Sequence, residues 1–293
     1  MNVVTALQAS PTTLYILLFV LGACIGSFLN VVVLRLPKRL QFQWESHCRD
    51  YFVGEAGEYS ELPEEPPDLV TTPSHCPQCK SKIKPWHNVP ILGYLFLRGK
   101  CANCSQRISP RYPVVELATG LFTVHAAFFF PVSLQLIAAL ILIWTLITLS
   151  LIDADCQLLP DDLTIPLLWM GLFVNLWSTF TSIHSAVIGA IVGYLSLWIL
   201  FQVHFRITGK QGMGYGDFKL LAAIGAWLGW QSLPLVALLA SLAGTLFALG
   251  LILTRRQSRE IPISFGPFLA LGAWIALFWG DQLVTNYLAL LKF

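Results

Sequence analysis

Long apolar runs, separated by short polar segments, make up most of the chain. The first run, residues 14–34, has the roughly 20 apolar residues that a helix needs to cross a bilayer about 30 Å thick. Similar runs recur at 114–130, 132–152, 163–180, 184–205, 218–230, 232–253 and 261–279. Run 218–230 covers only about 20 Å as a helix, so we expect a partial span or one that continues past Gln231. The pattern predicts an all-α polytopic membrane protein with about eight transmembrane helices.

The composition supports this interpretation. Hydrophobic residues make up 56% of the 293 residues and charged residues only 12%, which is about half the share in soluble proteins. The soluble globular class is therefore excluded, because most of the surface must face lipid. Residues 1–13 contain no Lys or Arg, which argues against a cleavable signal peptide and favours a first transmembrane helix.

One long polar segment interrupts the apolar pattern between the first and second spans. We expect three parts: a first transmembrane helix in 1–36, a polar domain in 37–112, and a transmembrane core of about seven spans in 113–293. Within the polar domain, residues 41–70 are acidic and end Pro-rich, which is typical of a surface loop or a flexible insert. Residues 75–105 are basic and contain four cysteines.

The basic residues also predict the orientation in the membrane. Eleven of the 18 Lys and Arg residues lie between Arg35 and Arg111, and short loops rich in Lys and Arg remain in the cytoplasm. We therefore expect a cytoplasmic polar domain and a periplasmic N-terminus. With about eight spans, the loop 153–162 also faces the cytoplasm.

Four cysteines of the polar domain have the spacing of a metal site. Cys76 and Cys79 form one CxxC pair, and Cys101 and Cys104 form another. Two such turns supply four thiolates, which suits tetrahedral Zn²⁺ with Zn–S bonds of about 2.3 Å. Disulfides are disfavoured in a reducing cytoplasm, although unrelated thiols or a redox pair remain alternatives. Because no ligand position is left for water, we expect a structural zinc ion.

Two acidic residues at predicted membrane edges are candidates for chemistry. Asp153 ends the third span, and Asp217 follows a Gly-rich turn at the start of the sixth. Carboxylates at membrane depth are costly and invite a functional explanation. Two carboxylates that approach each other share one proton, which gives an acid and a base at the same pH, as in aspartic proteases. Alternatively, Asp217 caps a helix and Asp153 is a polar end of a span.

The motifs around these residues resemble a known family. Gly214-Tyr-Gly-Asp217 resembles the motif of the GxGD membrane aspartic proteases, and the stretch from Asp153 to Asp161 resembles the first catalytic motif of bacterial type IV prepilin peptidases. Residues 26–37, 76–120 and 261–273 resemble that family's first span, zinc domain and last span.

The resemblance implies a bifunctional enzyme of the cell inner membrane. Such an enzyme cleaves prepilin and pseudopilin precursors after the Gly of their leader, at the cytoplasmic membrane face. It then methylates the new N-terminal amine with S-adenosyl-L-methionine. The resemblance implies that Asp153 and Asp217 are catalytic, and we expect supporting roles for Gly214, Gly216, Asp155 and Lys219.

The residues that bind the methyl donor are harder to predict. The sequence lacks a Gly-rich strand–turn–helix motif of the kind that soluble nucleotide-binding folds use. Candidates near such a site are Asn30, Arg35, Trp86, Asn88 and Arg111, each of which can alternatively be an anchor at a span edge. For Glu116 we expect either a pair with Arg111 or a stabilising role.

Three other functions remain open from the residues alone. A GxGD protease that cuts other membrane substrates would show no methylation. An ion transporter would use the membrane-edge acids to bind cations, and a zinc-containing scaffold would tolerate the loss of Asp217. We expect prepilins, pseudopilins and the lipid bilayer as partners, and no nucleic acid.

Overall fold

The computed structural model describes residues 10–53, 65–210, 212–254 and 263–291. All longer regular elements in these ranges are helices, as the apolar pattern predicts. We label them in chain order. They are α1 (Pro11–Val53), α2 (Leu92–Phe96), α3 (Arg111–Phe129), α4 (Leu134–Cys156), α5 (Asp161–Val174), α6 (Ile183–Thr208), α7 (Tyr215–Leu228), α8 (Leu233–Leu253) and α9 (Gly266–Leu291). Three-residue 3₁₀ turns lie at Pro85–His87, Asn175–Trp177 and Trp230–Ser232.

Six helical segments in the described part of the chain are long and apolar enough to cross a membrane. They are Pro11–Arg49, Arg111–Phe129, Leu134–Cys156, Ile183–Thr208, Trp230–Leu253 and Gly266–Asn286. The other two predicted spans form the helices α5 and α7, which have 14 residues each. At 1.5 Å per residue, each is about 21 Å long. The all-α membrane fold is thus confirmed, and two of the predicted spans are short.

The chain divides into two compact units, Met1–Val132 and Ser133–Phe293. In the first unit, α1 packs against α3 through small residues. A Cβ atom at Gly26 would lie 2.8 Å from the Glu116 Cα atom, and one at Gly120 would lie 2.8 Å from the Phe19 ring. Small residues of this kind let membrane helices approach closely, where van der Waals packing holds them together.

Helix α1 continues far beyond the predicted first span. Its 43 residues correspond to a length of about 65 Å, so its second half extends into the segment predicted as an acidic loop. Residues 41–53 are helical, and the Gln41 amide donates a hydrogen bond to Glu45 one turn later, at 3.0 Å. Residues 65–70 are not helical, and 54–64 lie outside the described residues.

In the second unit, the short helix α7 is surrounded by other helices. It packs against α5 and α6, and the side chains of Phe218, Ile224 and Trp227 are fully buried. Glycines permit the contact with α6, since a Cβ atom at Gly193 would lie 2.6 Å from the Leu221 carbonyl oxygen. A short helix is tolerated at membrane depth when protein covers its ends.

The carboxyl end of α7 is covered by a buried amide. Asn175 donates hydrogen bonds to the carbonyl oxygens of Ala226 and Trp227, both at 2.9 Å. Its own oxygen accepts from the backbone N–H groups of Phe180 and Thr181, at 3.0 and 3.2 Å. These bonds satisfy carbonyls that a helix end leaves without a partner. They explain how a 14-residue helix is stable inside the bundle.

Candidate active site and metal centre

Asp153 lies in the last turn of α4 and is held by the segment that precedes α9. Its side chain is buried, and its Oδ2 atom accepts a hydrogen bond from the Gly266 backbone N–H at 2.9 Å. The Ser264 hydroxyl donates to the Asp153 backbone carbonyl at 2.8 Å. A Cβ atom at Gly266 would lie 2.6 Å from Oδ2, so only glycine fits this approach.

Asp217 lies in the first turn of α7 and is also buried. Its backbone N–H donates to the Gly214 carbonyl at 3.3 Å. Asp217 does not cap α7, because Gly214 occupies the N-cap position. Asp217 lies inside the first turn of α7, three residues after the cap. The alternative that Asp217 is only a helix cap is therefore wrong.

The two aspartates belong to one site. The Leu159 side chain lies beside both: a Cβ atom at Gly216 would be 2.7 Å from the Leu159 Cβ, and one at Gly266 would be 3.3 Å from its Cδ2. The fold therefore brings together two buried acids that are distant in sequence.

The other predicted supporting residues lie around this pair. Asp155 is exposed in the last turn of α4. The Lys219 ammonium group binds both carboxylate oxygens of Asp161, at 2.7 and 2.8 Å, and so connects the second turn of α7 to the first turn of α5. Gly216 permits the close contact with Leu159 described above.

Sequence reasoning assigned no role to Gly266, Ser264 or Leu159. Ser264 and Gly266 lie in residues 261–273, whose sequence resembles the last span of the prepilin peptidase family and indicates no role for either residue. The available signal was a Gly-Pro pair at the start of an apolar run, which indicates a helix start. Their contact with Asp153 spans more than 100 residues, so no local pattern could predict it.

The four predicted metal ligands cluster in the first unit. The Sγ atoms of Cys76, Cys79, Cys101 and Cys104 all lie within 4.8 Å of one another, and those of Cys76 and Cys104 are 3.8 Å apart. A tetrahedral ion with bonds of about 2.3 Å separates its sulfur ligands by about 3.8 Å. The cluster therefore fits a tetrahedral metal ion.

Both cysteine pairs lie on turns with the same hydrogen bonds, 25 residues apart. The N–H of Cys76 donates to Ser81 at 3.0 Å, and that of Cys101 donates to Gln106 at 2.8 Å. Both turns place the residue after the second cysteine at positive φ, 53° at Lys80 and 59° at Ser105. We call residues 74–83 the first knuckle and 99–108 the second knuckle.

Neighbouring donors stabilise a thiolate in the first knuckle. The Ser81 hydroxyl lies 2.9 Å from the Cys79 sulfur, and the Asn103 amide lies 3.6 Å from it. Hydrogen bonds from the Ser81 hydroxyl, the Ser81 backbone and Asn103 lower the pKa of Cys79 to about 6. Metal binding requires the thiolate form, so these bonds favour binding near neutral pH.

Two of the methyl-donor candidates make structural contacts in the first unit. The Asn30 amide donates to the Tyr112 carbonyl at 3.2 Å. Arg35 donates to the carbonyl oxygens of Asp68 and Thr72. The Asn30 bond joins α1 to the start of α3, and the Arg35 bonds attach the polar segment to α1.

The remaining candidates are placed differently. Trp86 and Asn88 have exposed side chains in the segment between the two knuckles, and the Lys84 ammonium lies 5.5 Å above the Trp86 ring. Arg111 begins α3. Glu116 is buried and accepts the Ile91 backbone N–H at 2.7 Å, which gives it a structural contact.

Comparisons with known proteins match both halves of the chain to domains of known families. Residues 20–130 match the bacterial peptidase A24 N-terminal domain, and residues 140–249 match the type IV leader peptidase family. A protein of Stutzerimonas stutzeri is 47% identical over 98% of both chains. One of Aeromonas hydrophila is 50% identical over 95% of both chains, and one of Pseudomonas aeruginosa is 48% identical over 96% of both.

All three relatives are named prepilin leader peptidase/N-methyltransferase. No solved structure gives a significant match to the chain. The matched ranges cover both the cysteine cluster and the buried aspartates, and the relatives align over nearly the whole chain. By its two domains and its near-half identity to these proteins, the chain belongs to the type IV leader peptidase family.

Proposed function

We propose that this membrane protein cleaves the leader from type IV prepilins and pseudopilins and then methylates the new N-terminus. The observation that carries the proposal is the buried pair of acids, Asp153 and Asp217, which two different helices bring into one site. The names of the relatives supply the substrate class and the second activity.

The pair performs the hydrolysis as an aspartic dyad. Two neighbouring carboxylates hold one proton between them and titrate as a pair. The ionised member takes a proton from a water molecule as the water attacks the scissile carbonyl carbon. The protonated member donates a hydrogen bond to the carbonyl oxygen. A proton then passes to the leaving amine, which breaks the peptide bond.

The dyad also needs to be held in place. The Gly266 N–H fixes one Asp153 oxygen, and the α7 helix start orients Asp217. Gly214 leaves room beside Asp217 for the substrate backbone, since a Cβ atom there would lie 3.9 Å from the Asp217 Oδ2 atom, whereas Gly216 lets Leu159 pack closely. Lys219 and the exposed Asp155 have supporting roles at the rim of the site.

The charge distribution supports a cytoplasmic position for the site. Most Lys and Arg residues lie in the segment that contains the cysteine cluster, which favours a periplasmic N-terminus and places the loop 153–162 in the cytoplasm of an inner-membrane protein. A prepilin has an apolar helix after a basic leader, so its scissile bond would lie at that same interface.

The cysteine cluster holds zinc in a structural role. Four thiolates complete a tetrahedral shell, so the ion stabilises the fold of the cytoplasmic segment. S-adenosyl-L-methionine, when bound, supplies the electrophilic methyl group for the new amine. Of the candidate residues, Trp86 and Asn88 fit it best, because their exposed ring and amide can stack on and hydrogen-bond an adenine. Asn30 and Arg35 already bind backbone carbonyls, and Arg111 begins α3.

The proposal is tested with purified protein in lipid nanodiscs and a prepilin substrate. Asp153→Asn and Asp217→Asn are each expected to reduce leader removal by roughly 10²–10⁴-fold, because an amide cannot exchange the proton. Asp281→Asn is the matched control, because Asp281 is an exposed acid on α9.

The same assay measures the uptake of a methyl group by a pre-cleaved substrate. This uptake should persist in the Asp217→Asn variant, because it does not require peptide cleavage. Cleavage that survives in both dyad variants would refute the catalytic pair. Cleavage without any methyl transfer would instead identify a GxGD protease of the non-methylating kind, and ion flux without cleavage would identify a transporter.

A further inference from the structure

A short apolar helix projects from the segment between the two knuckles. Helix α2 exposes Leu92, Leu95 and Phe96, whose exposed fractions are 51%, 61% and 81%. Three large apolar side chains in five residues are far more than a water-facing turn normally carries. Such a patch marks an interaction surface.

Helix α2 is fastened beside the start of the span α3. The Ile91 N–H, directly before α2, donates to Glu116 at 2.7 Å. Glu116 lies five residues after the start of α3, which is about 7.5 Å along the helix. Near this end α3 itself exposes Val114 and Leu117, as a lipid-facing helix does. The exposed side chains of α2 therefore lie at the level where α3 enters the membrane.

A cationic groove lies next to this apolar helix. The groove has a volume of about 580 Å³, and its lining includes Tyr94 of α2 and the cationic side chains of Arg98, Lys100 and Arg107. It contains three cations and no acidic residue. None of the three has an acidic partner within the described part of the chain.

Two of these cations oppose each other directly. Lys100 and Arg107 form an isolated antiparallel bridge, and like charges in that position are destabilising. In the first knuckle the equivalent bridge joins His75 and Lys82. Of the two knuckles, only the second places a lysine directly opposite an arginine. This pair of facing positive charges points to an anion as the partner.

We propose that α2 and the second knuckle together form a membrane-surface anchor that binds anionic phospholipid. Leu92, Leu95 and Phe96 insert at the boundary between headgroups and acyl chains. Arg98, Lys100 and Arg107 bind the headgroup phosphate. An apolar wedge beside a basic patch is the combination that holds proteins at anionic membrane surfaces.

The position of the segment favours lipid over an acidic protein as the occupant. Its carboxyl end continues directly into the span α3, and the hydrogen bonds from Arg35 to the Asp68 and Thr72 carbonyls hold the start of the segment near the membrane part of α1. The anchor does not involve the aspartate pair, and it stands or falls independently of peptide cleavage.

The apolar half is tested by photo-crosslinking the full-length protein in nanodiscs. A photoreactive phenylalanine analogue replaces Phe96, and in a matched control it replaces Tyr51. Tyr51 is equally exposed, at 81%, but lies about 24 Å beyond Arg35 along α1. Lipid adducts are expected at position 96 and not at position 51. Equal adduct yields at the two positions, or no adduct at position 96, would overturn the proposal that α2 inserts into the membrane surface.

The cationic half is tested by native mass spectrometry of bound phosphatidylglycerol. Lys100→Gln with Arg107→Gln is expected to weaken binding by roughly tenfold. Lys80→Gln with Lys82→Gln is the matched control, since it removes two exposed charges from the first knuckle, and binding should change less than about twofold.

All four changes are on exposed side chains outside the thiolate set, so both variants should retain metal, which is measured in parallel. Equal losses in the two variants would show nonspecific attraction and overturn the site. So would unchanged binding in both, or binding of an acidic peptide in preference to the lipid.

Discussion

The cysteine cluster and the aspartate pair are assembled in different ways. Each half of the cysteine cluster is a tight turn with its own hydrogen bonds, and the two turns repeat the same geometry. The aspartate pair has no such local frame. Asp153 and Asp217 lie near the same Leu159 side chain only because α9 packs against both α4 and α7. The geometry of the cysteine cluster therefore depends mainly on its own two turns. The geometry of the aspartate pair depends on residues that hold helices against one another.

The largest effect is expected when the cysteine cluster loses ligands. Cys76→Ser with Cys101→Ser should abolish metal binding and unfold both knuckles, because structural zinc contributes on the order of 10 kcal/mol to small domains. Metal analysis and limited proteolysis measure this loss. Cys48→Ser is the control, because Cys48 is exposed and lies outside the cluster; a double variant that retains full metal content would contradict the assignment.

The second largest effect is expected at the buried end of α7. Asn175→Ala removes four hydrogen bonds and leaves helix-end carbonyls without a partner, which should reduce the free energy of unfolding by roughly 2–5 kcal/mol. Unfolding in detergent measures it. The exposed Asn286 on α9 provides the control Asn286→Ala, with a change below about 0.5 kcal/mol. Similar losses in both variants would argue against the packing role of Asn175.

A positional change should impair catalysis without removing either acid. Gly266→Ala places a methyl group 2.6 Å from the Asp153 carboxylate, so the carboxylate must shift. A displacement of about 1 Å can cost roughly 10²-fold in rate, and we expect a loss of this size in the cleavage kcat/KM.

Gly244→Ala is the matched control for this change. A Cβ atom there would lie no closer than 3.4 Å to the Phe268 ring, which is ordinary contact, so cleavage should be preserved. Metal content should be normal in both variants. A Gly266→Ala enzyme with wild-type kcat/KM would show that the N–H contact does not position Asp153.

The smallest effect is expected at the rim of the aspartate site. Lys219→Met removes the ion pair with Asp161, both of whose side chains are partly exposed, and such pairs contribute at most about 1 kcal/mol. Thermal unfolding of Lys219→Met, Asp161→Asn and the double variant measures the coupling. The coupling should weaken as salt is added; a large, salt-independent coupling would mean that the pair is effectively buried.

Much of the architecture could be predicted from local patterns. The all-α membrane fold, the clustering of the four cysteines and the family resemblance are confirmed, because each depends on spacing within short stretches. Two features were not predicted: the helical extension of α1 through residues 41–53, and α2. The two cysteine turns were predicted from the CxxC pairs, whereas the hydrogen bonds and positive φ angles that they share are seen only in the structure. The catalytic role of Asp153 and Asp217 stays a prediction.

The sequence was enough to predict which segments are apolar, where the thiols lie and which acids stand at membrane edges, because these properties depend on residue type and on spacing over a few turns. Helix packing, in contrast, brings the Gly266 N–H to Asp153 and the Asn175 amide to the end of α7. The bond between Ile91 and Glu116, which holds α2 beside α3, is likewise seen only in the folded chain. Such contacts join residues that are far apart in the chain, and helix packing selects them through shape and close approach.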